Sequence, residues 1–503
     1  MKRIASPTSL AFFLLFCLLL YFPLFLHLDQ LSLRLWDESR RAVNAFEMVQ
    51  NGNWLVTHYE GRPDMWGTKP PLLIWCQAIA MKLLGFNELA VRLPSALAAL
   101  ATVFLLVLFS SKVLKKPSIG FLAGLVLVTT RGYISAHGAR SGDFDALLTL
   151  WETGYFLSFF LYLESNEKTQ RRKWIYLTAL FVTLAGMTKG IAGFLFFPGL
   201  FLFAIWRKQL KKLLTDKHSW IAAAGVLLVI MGFYFLREMY NPGYLRTVWH
   251  NEIGGRYLQT RGGHLHPWFF YFKMMHKERF LPWLFFLPLG LLSGWLGNEK
   301  LKKFTGFLFL TSLFFLFIIS FSKTKIVWYM LPVYPLFSLI VGMGLDGLVS
   351  QINTFSKHGN QKISPFFLAA FVMAIFAMPY QKTIARIYFQ KHPPWDWGAL
   401  KYRDFMKMVA DEKTYTIVYP RLNSHVVFYQ NAFNSQGYQI NYQPLTDFSN
   451  NKYEFGEGPL SFEKGAILMI CERKVFKSLK KIYRYEVLRE WNTCKLVKIL
   501  EEL

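Results

Sequence analysis

The stretch that decides the fold is KKFTGFLFLTSLFFLFIISFSKTK, Lys302–Lys325. Between its two lysine groups, residues 304–321 carry no charge. As a helix rising about 1.5 Å per residue, such a run reaches roughly 27 Å, close to the ~30 Å hydrocarbon core of a bilayer. The two flanks differ in kind. Lys300, Lys302 and Lys303 form a short basic run of the sort that marks a cytoplasmic connection. Lys323 and Lys325 sit at the opposite end, against that bias, and so invite a second explanation.

The same pattern recurs along the chain. Further apolar spans are expected near 8–28, 92–111, 118–136, 146–163, 174–188, 193–206, 219–237, 281–297, 326–346 and 363–380, about eleven in all. The 503 residues are 53% hydrophobic and 18% aromatic with 49 Phe, which fits a polytopic α-helical membrane protein better than a soluble multidomain chain. The net charge of +26 would suggest nucleic acid in a soluble protein. Here the lysines and arginines cluster between spans, and no nucleic-acid-binding motif is visible, so that class is excluded. The basic start Met1-Lys2-Arg3 and the apolar run Leu10–His27 read as an uncleaved first helix, because no small-residue cleavage site follows.

Basic runs occupy every second connection: Lys112, Lys115 and Lys116, then Lys168 to Lys173, Arg207 to Lys212, Lys300 to Lys303, and Lys357 with Lys362. These predict a cytoplasmic N-terminus and an outward C-terminus. The other connections share the opposite face, and three are candidates for function: 29–91, 137–145 and 237–280. Residues 1–380 are therefore expected to form a membrane catalytic domain and 381–503 a soluble α/β domain. In that tail, YTIVY, HVVFYQ, AILMICE and YEVL read as strands, and GALKYRDFMKMVADE and KVFKSLKKIY as helices. Four cysteines show no metal spacing; Cys471 and Cys494 share the tail and can pair in an oxidising compartment.

The outward connections carry the charges of interest. In GTKPPLLIW, Gly67–Trp75, Lys69 precedes two prolines and an apolar helix, the wrong helix end for a cation unless an anion joins it. In LRLWDESRRAVNAFEMVQNGNW, Asp37 and Glu38 open an amphipathic helix that closes near Asn51-Gly52, and Asp37 alone reads as its N-cap. In GARSGDFDALLTLW, Asp143 and Asp145 precede a span, and Asp145 is also a candidate cap. Lys189-Gly190 in GMTKGIAGF is what a helix C-terminus favours. HNEIGGRYLQTRGGHLHPWFFY crowds Glu252, Arg256, Arg261, His264 and His266 together. The lysines of FSKTKIVWYMLPVYP can be read as snorkelling to the headgroups. Singly, each has a bland reading. Together, Asp37, Lys69, Asp145, Lys189, Arg256, His264 and Lys325 suit the transfer of a group off a lipid phosphate. The cations hold the phosphate as leaving group, and a carboxylate orients or deprotonates an incoming nucleophile.

The ordered set of first-loop residues (DE, EM, NW, KPPL, RLPSALAAL), FDALLTLW, MTKGIAGF, GRYLQTRGGHLHPWFFY and FSKTKIVWYMLPVYPLFSLI resembles the aminoarabinose-transferase-like and protein O-mannosyltransferase-like glycosyltransferases over about residues 30–345. The resemblance implies the C-type membrane fold with about 11–13 spans and inverting transfer from an undecaprenyl-phosphate sugar on the periplasmic side of the bacterial inner membrane. The acceptor it implies is lipid A, a glycan or a protein. It assigns Asp37 and Asp145, with Glu38 beside them, to catalysis. It assigns Lys69, Lys189, Arg256, His264 and Lys325 to the donor phosphate. Thr68 and Ile253 stand where the aminoarabinose enzymes have a glutamate and a histidine proposed to hold a metal. No metal ligand set and no cofactor are therefore expected, and the sugar is left open. A monomer is expected.

The alternative reading is a lipid-linked sugar binding or transport protein, flippase-like. Such a protein predicts midplane charges and broken helices in related halves. The charges here fall at span ends, and no halves repeat.

Overall fold

The structure, a computed structural model, describes residues 7–254, 264–358, 364–389, 397–419, 423–444 and 462–503. The chain divides into two compact units. The first gathers 1–28, 63–76 and 92–389; the second gathers 29–62, 77–91 and 390–503. The tail's unit thus takes in segments of the first long connection.

The deciding stretch is a single helix, Glu299–Phe321, whose N-cap Asn298 accepts a hydrogen bond from the Leu301 amide. Among the described residues, seven helices are long and apolar enough to cross a membrane: Glu88–Leu114, Phe144–Glu164, Lys168–Phe194, Lys217–Tyr240, Glu299–Phe321, Val327–Ile352 and Phe366–Tyr388. Five shorter apolar helices join them: Leu10–Phe25, Leu72–Leu84, Pro117–Thr129, Phe197–Trp206 and Trp283–Trp295. Each expected span falls on one of these helices. Leu72–Leu84 is the addition: it lies where the sequence suggested a connection, and its 13 residues reach only about 20 Å.

Helix packing within the first unit relies on aromatic rings and small residues. Phe196 stacks on Phe315 with centroids 4.4 Å apart, and Phe160 packs on Phe304 and Phe307 at 5.0 and 5.2 Å. Gly290 lets its helix lie against Tyr334–His358, for a Cβ there would stand 1.9 Å from the Ile340 carbonyl oxygen. Small residues allow such backbone approach where lipid tails offer no hydrophobic drive between helices.

The second unit has a two-stranded hairpin, β1 (His58–Tyr59) with β2 (Arg62–Pro63), and a five-stranded sheet. The sheet holds β3 (Thr414–Tyr419), β4 (Gln439–Pro444), β5 (Ile467–Ile470), β6 (Tyr483–Trp491) and β7 (Cys494–Glu502) in the order β4-β3-β5-β7-β6. β3 runs parallel to β4 and β5, and β7 antiparallel to β5 and β6. Three of the four expected strands are present. The fourth, HVVFYQ, is instead inside the helix Ser424–Asn434. Its β-branched residues favoured a strand, but Asn423 caps the His425 amide and the helix buries His425 to Tyr429 and Ala432. This helix packs on Asp37–Asn51. Cys471 and Cys494 are joined by a disulfide across 23 residues of chain.

Candidate functional site

The loop that presents Lys69 is fixed from three sides within the first unit. The Asp64 carboxylate accepts from the Trp66 and Gly67 amides at 3.0 and 3.2 Å. Tyr244 donates its hydroxyl to the Gly67 carbonyl at 3.2 Å, and Arg237 reaches the Asp64 carbonyl at 3.4 Å. The helix Leu72–Leu84 starts after the two prolines, so Lys69 stands before its first turn. The anion that joins it is Glu252: Lys69 Nζ lies 3.2 Å from Glu252 Oε1, and Thr68 Oγ1 donates to the same oxygen at 2.5 Å. The two charged side chains keep 10% and 13% of their surface exposed.

A second lysine–carboxylate pair joins two long helices. Asp145 stands in the first turn of Phe144–Glu164, and Lys189 ends Lys168–Lys189. Lys189 Nζ lies 2.5 Å from Asp145 Oδ1, with side-chain exposures of 8% and 2%. Asp145 is not the cap of its helix. That is Asp143, which accepts from the Phe144 amide at 2.7 Å and also pairs with His137. Asp145 points its carboxylate across to Lys189 instead, leaving Oδ2 buried with no hydrogen bond among the described residues.

The two pairs are neighbours. Lys69 Nζ lies 5.7 Å from the Phe144 ring centroid, next to Asp145. Gly190, at φ +59° and ψ −130°, turns the chain just after Lys189, a conformation open to glycine and strained for other residues. A Cβ at Gly190 would meet the Tyr234 hydroxyl at 2.9 Å and Pro70 at 3.9 Å. Gly190, which follows Lys189, therefore lies near Pro70, which follows Lys69. Lys189 Nζ also lies 5.5 Å from the Tyr329 ring, while Trp328 stacks on His137 at 3.7 Å between centroids.

His264 and Lys325 come together through the backbone: the Lys325 amide donates to the His264 carbonyl at 3.0 Å, beside an antiparallel bridge from Leu265 to Thr324. Burial, then the charges of His264 and Lys325, hold the His266 imidazole below its ordinary range. Lys325 does not snorkel. Only 5% of the residue is exposed, and its ammonium donates to the Ser322 carbonyl at 2.7 Å. A backbone acceptor within reach removes the need to run to the headgroups.

Asp37 and Glu38 belong to the second unit. Asp37 opens the helix Asp37–Asn51 as its first residue; Trp36, at φ 67°, holds the N-cap position without a side-chain bond. The cap reading of Asp37 therefore fails. Its carboxylate lies 3.7 Å from Arg41, one turn on, while buried Glu38 accepts from the Arg34 amide at 2.7 Å. The helix does end on Gly52, in the left-handed conformation. Arg256 and Arg261 lie outside the described residues.

The structure gives three groups surroundings that the sequence did not assign them. Glu252 is the partner of Lys69. His137 links Asp143 to Trp328. Glu152 is fully buried two helical turns beyond Asp145; Tyr155 donates to it at 3.5 Å, and its Oε2 has no hydrogen bond. A glutamate inside an apolar run was its only signal. Beside Lys69, Ile253 carries no ligand atom, and the Thr68 hydroxyl donates to Glu252.

Known proteins share both the sequence pattern and this fold. Residues 68–235 match the dolichyl-phosphate-mannose-protein mannosyltransferase family. The undecaprenyl phosphate-α-4-amino-4-deoxy-L-arabinose arabinosyl transferase of Shewanella sediminis is 28% identical over 401 residues, covering 76% of this chain and 70% of that protein. A second such transferase, from Pseudomonas fluorescens, is 28% identical over 377 residues, 74% of this chain and 62% of its own length. The crystal structure of ArnT from Cupriavidus metallidurans bound to undecaprenyl phosphate superposes with a TM-score of 0.72 over 98% of both chains at 16% identity, which speaks to the fold. In sequence the chain is similar to the aminoarabinose transferases and, over residues 68–235, to the mannosyltransferase family; in fold it matches the C-type architecture, and it is a membrane glycosyltransferase.

Proposed function

We propose that the chain transfers a sugar from a polyprenyl-phosphate donor, undecaprenyl phosphate in bacteria, to a lipid A, glycan or protein acceptor on the periplasmic side of the inner membrane. The observation that carries this reading is that Lys69 and Lys189, two ammonium groups each held by a carboxylate, sit on neighbouring segments of one unit. The acceptor oxygen attacks the sugar's first carbon from the side opposite the phosphate. The carbon–oxygen bond to phosphate breaks, its electron pair leaves with the phosphate, and the configuration inverts. Lys69 exchanges Glu252 for the phosphate, with Lys189, His264, Lys325 and Arg256 completing the cationic field. A hydroxyl acceptor gives its proton to Asp37 or Asp145; a phosphate acceptor needs only to be positioned.

The Cys471–Cys494 disulfide supports a tail in an oxidising compartment, and the alternating basic runs support a cytoplasmic N-terminus. The division at residues 380 and 381 remains our reading of the domains, and the protein acts as a monomer. The test is mass spectrometry of lipid A, O-antigen and glycoproteins from cells with and without the gene, beside alkaline phosphatase fusions. Loss of one sugar mass, an active fusion after Leu503 and an inactive one at Arg172 are expected. Unchanged glycans, or an inactive C-terminal fusion, would overturn the reading.

A further inference from the structure

The second unit holds a cavity of about 620 Å³, within the range of small-molecule sites. The β1–β2 hairpin forms one wall and the helix Ser424–Asn434 another. Phe46 and Val427, both buried, supply apolar lining. The hairpin is held in place: Glu47 accepts from the Glu60 and Gly61 amides at 2.5 and 3.0 Å. Those two residues turn the chain at φ +51° and +74°. Holding a glutamate in the left-handed region is a strain that the Glu47 clamp sustains.

The polar groups on the walls divide into two sets. Glu47 is spent on the hairpin, Asn51 meets His58 at 3.2 Å, and the Gln430 amide donates to the Ile440 carbonyl at 2.9 Å. Among the described residues the side chains of Gln50, Glu60 and Asn431 make no such hydrogen bond, and they line the cavity. Two amides each offer a donor and an acceptor, and the carboxylate offers two acceptor oxygens. Paired donors and acceptors over an apolar surface match a polyhydroxylated ring, whose hydroxyls both give and take hydrogen bonds and whose C–H faces are apolar. Burial, then the charge of Glu47, push the Glu60 carboxyl above its ordinary range against the opposing pull of Arg40 and Arg62.

We infer that this cavity is a carbohydrate-binding subsite that takes a neutral sugar ring of the acceptor. The inference rests on the transferase reading above and adds a second contact for the acceptor, carried by Gln50, Asn431 and Glu60. The probes are an N-acetylhexosamine dimer and a hexose trimer, titrated into the full-length protein in nanodiscs and read by calorimetry and saturation-transfer NMR. A deacetylated, cationic hexosamine dimer serves as the contrast. Saturable binding of at least one neutral probe is expected, insensitive to salt, and weakened at least tenfold in the Gln50→Ala/Asn431→Ala double variant. Thermal stability and donor binding should stay unchanged, and Glu60→Gln should retain the neutral probe. Three results would overturn the subsite: no neutral probe binds, the double variant binds as wild type, or only the cationic dimer binds and salt or Glu60→Gln abolishes it. Sugar transfer that persists without probe binding would sink the subsite alone. Probe binding without any transfer would sink the transferase reading alone.

Discussion

The Lys69–Glu252 and Lys189–Asp145 pairs look alike in a drawing and differ in their surroundings. Lys189 and Asp145 tie two long helices together with almost no exposed surface. Lys69 and Glu252 keep a little more contact with solvent, lie 3.2 Å apart, and share the carboxylate with Thr68. Two buried charges support each other, and removing one leaves the other stranded. A pair at a rim, with a third donor on the same oxygen, can be opened by an incoming anion at lower cost. The difference assigns the buried pair to holding the site's shape while lending its charges to the chemistry, and the other to exchanging its anion.

That comparison can be broken by mutation. The largest expected effect is Lys189→Ala, which leaves Asp145 buried without its cation. It should destabilise the protein by about 3–5 kcal/mol, read as loss of folded protein on detergent size exclusion and a lowered thermal midpoint. Stability near wild type would put the pair in reach of water and erase the contrast. Next, Lys69→Ala should leave folding close to intact but lose on the order of 2–4 kcal/mol of transition-state stabilisation, seen as reduced turnover of a synthetic polyprenyl-phosphate sugar. A fall in thermal midpoint as large as that of Lys189→Ala would make the two pairs equivalent.

A smaller effect is expected from Thr68→Val, which removes one donor to the Glu252 carboxylate. Its cost should be roughly 1 kcal/mol in stability, measured by chemical denaturation, with donor binding unchanged or tighter because Glu252 holds its place less firmly. Weaker donor binding would show Thr68 acting on the donor itself. The smallest effect is that of the double variant Lys189→Met/Asp145→Leu, which replaces both charges with apolar groups. Its stability should return to within about 1–2 kcal/mol of wild type while transfer stays lost. A double variant as unstable as Lys189→Ala would mean that packing, not charge, governs the site.

Much of this contrast was legible in the sequence, though unevenly. Long uncharged runs between lysines marked the spans, because crossing a bilayer demands about 20 apolar residues in a row. Leu72–Leu84 reads as an apolar helix after Lys69 but not as a span, because 13 residues fall short of that length. HVVFYQ was misread because its β-branched residues speak for a strand, while the Asn423 cap and burial on one helical face decided otherwise. Lys69 could be singled out by its position before the prolines, but its partner lies 183 residues away and no local pattern points to it. Asp37 and Asp145 both read as caps on residue type; the structure gives one cap to Asp143 and leaves the other without a side-chain bond. Lys325 illustrates the same limit, since only the fold brings the Ser322 carbonyl to its ammonium.

The central claim is that Lys69 trades the Glu252 carboxylate for the donor phosphate. The most direct measurement is donor affinity and transfer rate, from a synthetic polyprenyl-phosphate sugar, for wild type, Lys69→Ala and Glu252→Gln in nanodiscs. The account predicts weaker donor binding and a turnover loss of roughly a hundredfold or more for Lys69→Ala, the lower end of losing one anion-stabilising donor. For Glu252→Gln it predicts donor binding at least as tight as wild type, because the competing anion is gone. Near-normal transfer by Lys69→Ala, or loss of donor binding in Glu252→Gln, would contradict it.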